Sequence, residues 1–461
     1  TFRGGIMSEN KSSVLNMTTG NPVSLILKFT LPLLVGNIFQ QLYNMVDTII
    51  VGNFVGTTAL AAVGSTGTIM FMLFSLSVGL TSGFTVLTSQ RFGADDYEGT
   101  RRSFSNGVIL SMIISILLTI GSLLVLNPVL QMMNTPSDMY SDAYNYISVI
   151  CLGTIASVFY NLFSSYLRAI GNSKIPLYVL VFSSILNVIL DLLFIIVFKM
   201  GTAGAAWATD IAQGISAILC LIYIYKNVPI LVPTKEMWKL DMDYSKRQLS
   251  IGLPMCVQFA ITASGTMIMQ TAINMFGSVA VAAFTATSKI GNILTQGFTS
   301  VGQTITTYCG QNAGKDDIDR IQSGTRSAML ISGIYAVAIG GIAVLALPLL
   351  IQLFFESGAD LTTMMPYART YMYLCASFYI PLAMIFVYRN AIQGCGYGAP
   401  SMILGFAELV ARLVMAFISM KVGSYLLAVA CDPAAWLVAG ILAYIIFRVI
   451  LKDMRSRRMS L

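Results

Sequence analysis

The sequence contains no histidine, and only 10% of its 461 residues are charged. The absence of histidine removes the usual metal ligand and the usual proton carrier near neutral pH, so any proton transfer has to use carboxyl groups. A soluble domain carries about 25% charged residues, which excludes a water-soluble fold. Seven cysteines form no CxxC or other cluster, so we predict no metal site and expect packing roles for them. They are Cys151, Cys220, Cys256, Cys309, Cys375, Cys395 and Cys431.

Long apolar segments make up most of the chain, which is 56% hydrophobic and has a mean hydropathy of +0.77. Each segment is near the roughly 20 residues that a membrane-spanning helix needs. The pattern of hydropathy and loop residues predicts twelve spans. These are 24–52, 60–89, 103–132, 140–169, 176–200, 204–226, 248–277, 282–309, 326–354, 367–393, 400–424 and 426–450.

Loop charge predicts the orientation of these spans. With a cytoplasmic N-terminus, the inside loops and both tails hold 22 of the 27 lysines and arginines. Lys199, Arg369 and Lys421 fall on the outside, and Lys289 and Arg412 fall within spans. This asymmetry is the positive-inside signature. We therefore expect a multi-pass protein of the cell membrane with both termini in the cytoplasm and no cleaved signal peptide.

The second half of the chain repeats the first at a shift of 221 residues. Gly56 aligns with Gly277, and QRFGADD (Gln90–Asp96) aligns with QNAGKDD (Gln311–Asp317). A series of matches in the same order indicates an internal duplication. Because each copy has an even number of spans, both copies enter the membrane from the same side, as a parallel repeat.

The predicted fold is therefore an all-α integral membrane protein with two six-helix bundles. The opening residues before Met7 look like a remnant of cloning and are left out of the fold prediction. The expected divisions are an N-terminal tail (1–23), an N-lobe (24–226), a cytoplasmic linker (227–247), a C-lobe (248–450) and a cytoplasmic C-terminal tail (451–461).

Polar residues concentrate in the spans of the first bundle, where they are costly unless they face a cavity, a partner or an ion route. Asp47 on the first span and Asp191 on the fifth are the charged members of a predicted polar chamber. Their carboxyl groups can bind a proton, or coordinate Na⁺ with neutral oxygen donors. The alternative is that these groups only tie helices together, which we favour for Asp210. The other members of the chamber are Gln40, Tyr43 and Asn44 on the face of Asp47, Asn187 one turn before Asp191, and Thr209.

The second bundle has a different set of polar residues. Met269 and Gln270 align with the acidic position of the first span, so no carboxylate repeats there. Glu408 and Arg412 are four residues apart, which predicts an internal ion pair. Lys289 is assigned a secondary, structural role. The ion chemistry is therefore expected in the first bundle.

Three segments resemble the multidrug and toxic compound extrusion (MATE) transporters, and the DinF-like branch in particular. They are the first-helix segment LPLLVGNIFQQLYNMVDTIIVGNFVG (Leu31–Gly56), RAIGNSKIP (Arg168–Pro176) and GQNAGKDDIDR (Gly310–Arg320). The similarity extends along essentially the whole chain. It implies a V-shaped pair of six-helix lobes and antiport of drugs against a cation by alternating access.

The resemblance also implies roles for individual residues. In the DinF-like branch, the positions matched by Asp47, Asn187, Asp191 and Thr209 couple transport to a cation. The NorM-like branch uses an acidic residue on the seventh helix, where this chain has no acid and Gln258 is the nearest polar residue, so that mechanism is not expected. The candidates for a substrate cavity are Gln40, Tyr43, Asn44, Gln258, Met269 and Gln270.

The predicted function is secondary active efflux of small cationic or amphipathic drugs, driven by H⁺ or Na⁺ and without a cofactor. We expect a monomer in the lipid bilayer that binds no nucleic acid. A lipid-linked oligosaccharide flippase of the same superfamily is the alternative, but it requires a basic cleft, and the first bundle is acidic. A membrane enzyme is not expected because HExxH, GxSxG and other nucleophile motifs are absent. A channel is not expected because no filter-like segment recurs, and without a P-loop the energy has to come from an ion gradient.

Overall fold

Every regular element in the described part of the chain is helical, which confirms the predicted all-α class. The computed structural model describes residues 14–133, 135–352 and 361–459. The predicted cloning remnant before Met7 lies outside the described residues, as do the ends of both predicted tails. Long apolar sequences form helices here because a helix satisfies every backbone polar group within one segment.

The first half of the chain forms eight helices, and the seventh continues into a π-helical turn. The helices are α1 (Pro22–Phe54), α2 (Thr57–Ser65), α3 (Gly67–Gly93), α4 (Tyr97–Met132), α5 (Ser137–Leu152), α6 (Thr154–Ala169), α7 (Lys174–Leu192, followed by the π turn Leu193–Val197) and α8 (Gly201–Asn227).

A 3₁₀ turn (Lys235–Met237) leads into the second half, which forms ten helices. These are α9 (Met242–Asn274), α10 (Ser278–Leu294), α11 (Gln296–Gly314), α12 (Ile318–Gln352), α13 (Met365–Ser377), α14 (Tyr379–Met384, followed by the π turn Ile385–Arg389), α15 (Asn390–Gly394), α16 (Gly398–Val422), α17 (Tyr425–Val429) and α18 (Cys431–Met459).

Nine helices of the described chain are long and apolar enough to cross a membrane, and two bent pairs raise the number to eleven. The bent pairs are α5 with α6, at 47°, and α13 with α14 and α15, at 52°. They correspond to the predicted fourth and tenth spans. The predicted eighth span falls on α10 and α11, where threonine, glycine and glutamine lower the hydropathy. Eleven of the twelve predicted spans therefore have an apolar helix or helix pair.

The described chain divides into two compact units, and the boundaries at Val35 and Val257 lie inside helices. Unit 1 contains Val35–Cys256 together with the residues before Met17, and unit 2 contains Met17–Leu34 and Val257–Leu461. Both α1 and α9 carry an internal proline, Pro32 and Pro254. Each of these two boundaries comes three residues after this proline, at equivalent places in the repeat. The first part of α1 thus packs within unit 2, and the first part of α9 packs within unit 1.

Each unit is built around its own apolar clusters. In unit 1, one cluster includes Val51, Leu130 and Cys151, and another includes Phe104 and Tyr166. All seven cysteines are buried and free, as expected for packing residues. Unit 2 has an aromatic cluster with buried Met269, Phe284, Phe298, Tyr371 and Tyr379. The side chains that carry chemistry are therefore held by packed helices on several sides.

The duplication is visible in the backbone geometry. Gly56 and Gly277 have φ angles of 127° and 88° immediately before α2 and α10. Residues with a Cβ avoid this region, which accounts for glycine at both positions. Asp95 and Asp316 have φ angles of 59° and 55°, which asparagine and aspartate tolerate best among residues with a side chain. The matched QRFGADD and QNAGKDD segments thus make the same turn.

The residue after each of these aspartates caps the next helix. Asp96 Oδ1 accepts a hydrogen bond from the Gly99 backbone N–H at 2.8 Å, and Asp317 Oδ1 accepts one from the Arg320 backbone N–H at 3.0 Å. Each side chain satisfies a backbone donor that the first turn of a helix leaves unpaired. The shared DD dipeptide of the repeat is therefore a turn and cap signal.

A close crossing of α3 and α9 holds the first part of α9 within unit 1. A Cβ at Gly79 would lie 2.8 Å from the Cys256 Cα atom, and a Cβ at Gly83 would overlap the Gly252 backbone. Both helices present small residues four positions apart, the pattern that allows backbones to approach closely in membranes.

The GQNAGKDDIDR segment, which carried part of the family resemblance, anchors the residues that precede α1. Gln311 Oε1 accepts from the Met17 N–H at 2.8 Å. The Asn312 amide and the Arg320 guanidinium both donate to the Met17 carbonyl, at 3.2 and 3.0 Å, and Arg320 also donates to the Gly20 carbonyl at 3.0 Å. These contacts give the segment a structural role within unit 2.

Candidate functional site

Three helices of unit 1 bring the predicted coupling residues together. Tyr43 and Asp47 lie one turn apart on α1, Asn187 and Asp191 lie one turn apart on α7, and Thr209 lies on α8. A four-residue spacing places both polar side chains of a helix on one face, which explains how α1 and α7 each supply a pair. Asn187, Asp191 and Thr209 are 1%, 0% and 6% exposed. We call these five residues the α1–α7–α8 cluster.

Asn187 is the central hydrogen-bonding residue of this cluster. Its amide is assigned with the nitrogen donating to Asp191 Oδ2 at 2.9 Å, because the opposite orientation leaves both ends of the amide mismatched. The amide oxygen then accepts from the Tyr43 hydroxyl at 3.1 Å and from the Thr209 backbone N–H at 3.0 Å. The Thr209 hydroxyl donates to the Ala205 carbonyl at 3.1 Å. Asn187 therefore links all three helices.

The carboxyl groups of Asp47 and Asp191 lie within hydrogen-bonding reach of each other. Asp47 Oδ1 and Asp191 Oδ1 are both buried, and neither has a hydrogen-bond donor among the described residues. An ionised carboxylate only accepts hydrogen bonds, so two such groups in contact require a proton on one of them. The arrangement can hold one proton between two acids.

Asp210, next to Thr209 on α8, packs against the break between α5 and α6. A Cβ at Gly153 would overlap the Asp210 carboxyl group, so the glycine leaves the space that the carboxyl group occupies. Asp210 is 8% exposed, and its Oδ2 atom has no hydrogen-bond partner among the described residues. The structural role predicted for Asp210 stays a prediction.

The predicted cavity residues occupy different environments. In α1, Gln40 is half-buried and Asn44 is exposed, whereas Tyr43 belongs to the α1–α7–α8 cluster. The sequence predicts Tyr43 as a member of the polar chamber and of the substrate cavity, but it does not predict the contact between its hydroxyl and Asn187. The spacing of Tyr43 and Asp47 on one face was the signal that links it to the coupling residues.

In unit 2, the cavity candidates are also held by neighbours. Gln258 is 1% exposed and lies 3.5 Å from the Gln393 amide nitrogen. Met269 belongs to the aromatic core of unit 2, where a packing role is the direct interpretation. The Gln270 amide donates to Asn274 Oδ1 at 2.8 Å, on the exposed side of α9.

A buried chain of four charged residues occupies unit 2 and extends the ion pair that the sequence predicted. Arg412 lies 3.4 Å from Glu408, as expected. Arg389 also pairs with Glu408, at 2.9 Å, and Arg412 pairs with Asp432, at 2.9 Å. No side chain of the four is more than 12% exposed. We call this group the unit 2 charge chain.

The unit 2 charge chain adds two ion pairs that the sequence did not predict. Arg389 is one of the 22 positive charges assigned to the inside, and the structure adds that it pairs with Glu408 in a buried position. Asp432 was not predicted to pair with Arg412, because the two residues are twenty positions apart and on different helices. Lys289, by contrast, is exposed on α10.

The MatE family model matches the chain twice, over residues 32–193 and 254–418. The two matches start 222 residues apart, which agrees with the internal repeat. The Probable multidrug resistance protein YpnP of Bacillus subtilis is 30% identical over 308 residues, covering 66% of this chain and 68% of that protein. The Probable multidrug resistance protein NorM of Thermotoga maritima is 25% identical over 441 residues, covering 93% and 90%.

Solved structures show the same fold. A multidrug resistance MATE family transporter in an outward-facing conformation superposes with a TM-score of 0.90 at 22% identity, covering 97% of this chain and 100% of that chain. A MATE protein in complex with MaL6 gives a TM-score of 0.88 at 21% identity, covering 96% and 99%. The fold is therefore shared along nearly the whole length.

Proposed function

This chain belongs to the MatE family of membrane transporters, and from that membership we propose that it exports small organic cations and amphipathic drugs. We propose H⁺ as the ion whose inward flow drives export, and alternating access as the mode of transport. The α1–α7–α8 cluster is the proposed coupling site. The substrate is defined only as a chemical class, because a site that accepts varied molecules needs adaptable surfaces rather than one fixed set of contacts.

The observation that carries this proposal is the contact between the carboxyl groups of Asp47 and Asp191. Two buried carboxyl oxygens without a donor are satisfied by one shared proton. Na⁺ is the alternative coupling ion, and it needs oxygen atoms directed at it. The Asn187 amide presents its nitrogen to Asp191 and its oxygen to Tyr43. Because the amide oxygen does not face Asp191, that orientation favours a proton shared by Asp47 and Asp191 over Na⁺ bound by Asn187 and Asp191.

The proposed cycle uses the repulsion that appears when the shared proton leaves. Two negative charges a few ångströms apart in a poorly hydrated site repel strongly, and separating them requires α1 and α7 to move relative to each other. The π turn Leu193–Val197 begins two residues after Asp191. Such turns often occur at functional sites in helices. Protonation from outside closes the pair, and proton release inside opens it.

Export of cations also agrees with the charges of unit 2. A flippase that carries a lipid-linked pyrophosphate needs uncompensated basic residues in the membrane. Arg389 and Arg412 are matched by Glu408 and Asp432 in the unit 2 charge chain. The buried arginines are thus already neutralised, and we do not propose the flippase function.

The test is efflux of ethidium from proteoliposomes that contain the purified full chain. A pH gradient and a Na⁺ gradient are imposed separately on the wild type, Asp47→Asn and Asp191→Asn. We expect the pH gradient alone to drive export by the wild type. Each variant should export at least about tenfold more slowly, since loss of one acid removes the shared-proton site. Asp210→Asn is the matched control and should retain export.

Each outcome decides one part of the proposal. Full gradient-driven export by Asp47→Asn would refute the coupling site. Export driven only by the Na⁺ gradient would replace H⁺ with Na⁺ at the same residues. Transport of a labelled lipid-linked sugar without any efflux of ethidium would favour the flippase over the exporter. Unchanged size-exclusion profiles of the variants show that they remain folded.

A further inference from the structure

A groove of about 550 Å³ lies in unit 2, between the start of α12 and the end of α18. Its lining combines polar and charged side chains with the apolar side chains of Ile445, Val449 and Leu451. The polar lining consists of Gln322 of α12 and of Tyr444, Arg448, Lys452 and Arg455 of α18. This volume is in the range of sites that hold small organic ligands.

Three basic residues of the groove lie on one face of α18. Arg448, Lys452 and Arg455 are spaced by four and three residues, so their side chains follow one stripe of the helix. Arg455 Nη2 is held by Gln322 Oε1 at 2.7 Å and by Asp319 Oδ1 at 2.9 Å. One of the three positive charges is therefore matched by a carboxylate.

The other two basic residues keep a surplus of positive charge. In the part of the chain that the structure describes, neither Arg448 nor Lys452 makes an ion pair, and Lys452 is exposed. Arg448 Nη1 lies 3.4 Å from the Tyr444 hydroxyl. The groove thus offers two cations and a fixed third one to a negatively charged ligand.

Apolar side chains of α18 form a second stripe of the groove beside the basic one, since Ile445 and Val449 are four residues apart. Ile445 and Val449 line it and are 51% and 62% exposed. Both belong to a helix that is long and apolar enough to cross a membrane. Each apolar residue lies three residues before a basic one, Ile445 before Arg448 and Val449 before Lys452, which is about 4.5 Å along the helix axis.

We infer that this groove binds one anionic phospholipid, with its phosphodiester headgroup between Arg448 and Lys452 and its acyl chains on Ile445 and Val449. A free phosphate would use only the basic side chains, and an apolar ligand would use only Ile445 and Val449. Basic pockets between helices on the cytoplasmic side suit anionic headgroups. The predicted orientation places this end of α18 in the cytoplasmic leaflet.

The experiment measures retention of added lipid by the purified full chain in detergent, using native mass spectrometry. Dioleoyl phosphatidylglycerol and dioleoyl phosphatidylcholine are compared, because they share acyl chains and differ in headgroup charge. We expect the wild type to retain phosphatidylglycerol in preference. Arg448→Gln with Lys452→Gln should weaken this binding about thirtyfold, since each basic residue near an anionic headgroup contributes about a factor of five.

A matched control removes the same charges elsewhere. Lys246→Gln with Arg247→Gln also replaces one lysine and one arginine, and both residues are exposed near the start of α9 in unit 1. This variant should bind like the wild type. The conservative pair Arg448→Lys with Lys452→Arg should also retain the lipid, which separates loss of charge from loss of folding.

Two further measurements decide between lipid and other ligands. Val449→Asn should weaken retention of the lipid, because it places an amide against the acyl chains. The lipid assignment would be overturned if glycerol 3-phosphate competed as well as phosphatidylglycerol does. It would also be overturned if the wild type retained phosphatidylcholine as well as phosphatidylglycerol. If the groove variant and the Lys246/Arg247 control lost the same amount of phosphatidylglycerol binding, the groove would not be the site. Binding is measured without an ion gradient, so its failure is independent of the export proposal.

Discussion

The space for the Asp210 carboxyl group exists because Gly153 has no side chain. Gly153 has φ −78° and ψ 0°, angles that any residue adopts, so a substitution there meets only a steric obstacle. We expect Gly153→Ala to lower the free energy of unfolding by about 1–3 kcal/mol, the usual cost of overpacking. Thermal unfolding of the purified variant in detergent measures it.

A second substitution identifies the cause of that loss. Asp210→Ala removes the carboxyl group that the new methyl group would overlap. In the double variant with Gly153→Ala, most of the lost stability should return, which is a favourable coupling between neighbouring sites. Additive losses in the double variant would contradict the contact.

The sequence predicted which residues belong to the α1–α7–α8 cluster better than it predicted the contacts between them. Spacing alone placed Asn187 and Asp191 on one face of α7, and the polar chamber predicted from the sequence also included Thr209, to which the family resemblance added a role. Spacing also placed Tyr43 beside Asp47, but not its hydroxyl against Asn187, because that contact depends on how α1 and α7 cross. For the same reason Arg389 could not be paired with Glu408 from the sequence.

At the scale of elements, the crossing of α3 and α9 depends on small residues at four positions. Gly83→Ala would push a methyl group into the Gly252 backbone, which cannot move aside like a flexible side chain. We expect this variant to lose about 1–3 kcal/mol of unfolding free energy. The measurement is thermal unfolding of the full chain.

The control is a glycine of unit 1 with open space around it. Gly121 lies inside α4, and a Cβ built there meets no atom within 4 Å. Gly121→Ala should be neutral or slightly stabilising, since alanine favours helix by up to about 1 kcal/mol over glycine. If both variants unfold at the same temperature, the close crossing does not stabilise unit 1.

Hydropathy predicted which segments are helical, but it did not predict where helices break. The predicted span 140–169 contains the break at Gly153, and the predicted span 367–393 contains the break at Phe378. Apolar residues continue through both breaks, so the composition does not change there. Contacts between distant residues accompany the bends, such as that of Asp210 with Gly153. A hydropathy average over neighbouring residues carries no information about such contacts.

At the scale of the whole molecule, the two halves share a backbone plan and differ in charge. The repeat was predictable because turn and cap residues recur at one shift, as Asp95 and Asp316 do. In the α1–α7–α8 cluster of unit 1, two acids face each other without a cation among the residues of the cluster. In unit 2, Arg389, Glu408, Arg412 and Asp432 alternate in sign.

This difference predicts separate effects on stability and on coupling. Glu408→Gln leaves two buried arginines short of one carboxylate, and breaking a buried pair in this way costs about 3–5 kcal/mol. Adding Arg389→Gln removes one of those arginines and leaves Arg412 with Asp432. Thermal unfolding should therefore show a large loss for the single variant and substantial recovery for the double variant.

The same double variant tests whether coupling is confined to unit 1. Because Arg389→Gln with Glu408→Gln leaves Asp47 and Asp191 unchanged, it should retain export driven by a pH gradient. Asp47→Asn should show the opposite result, a normal unfolding temperature without gradient-driven export. If the double variant unfolds normally but loses export as Asp47→Asn does, the charge chain of unit 2 takes part in coupling. Efflux and unfolding measured on the same preparations distinguish these results.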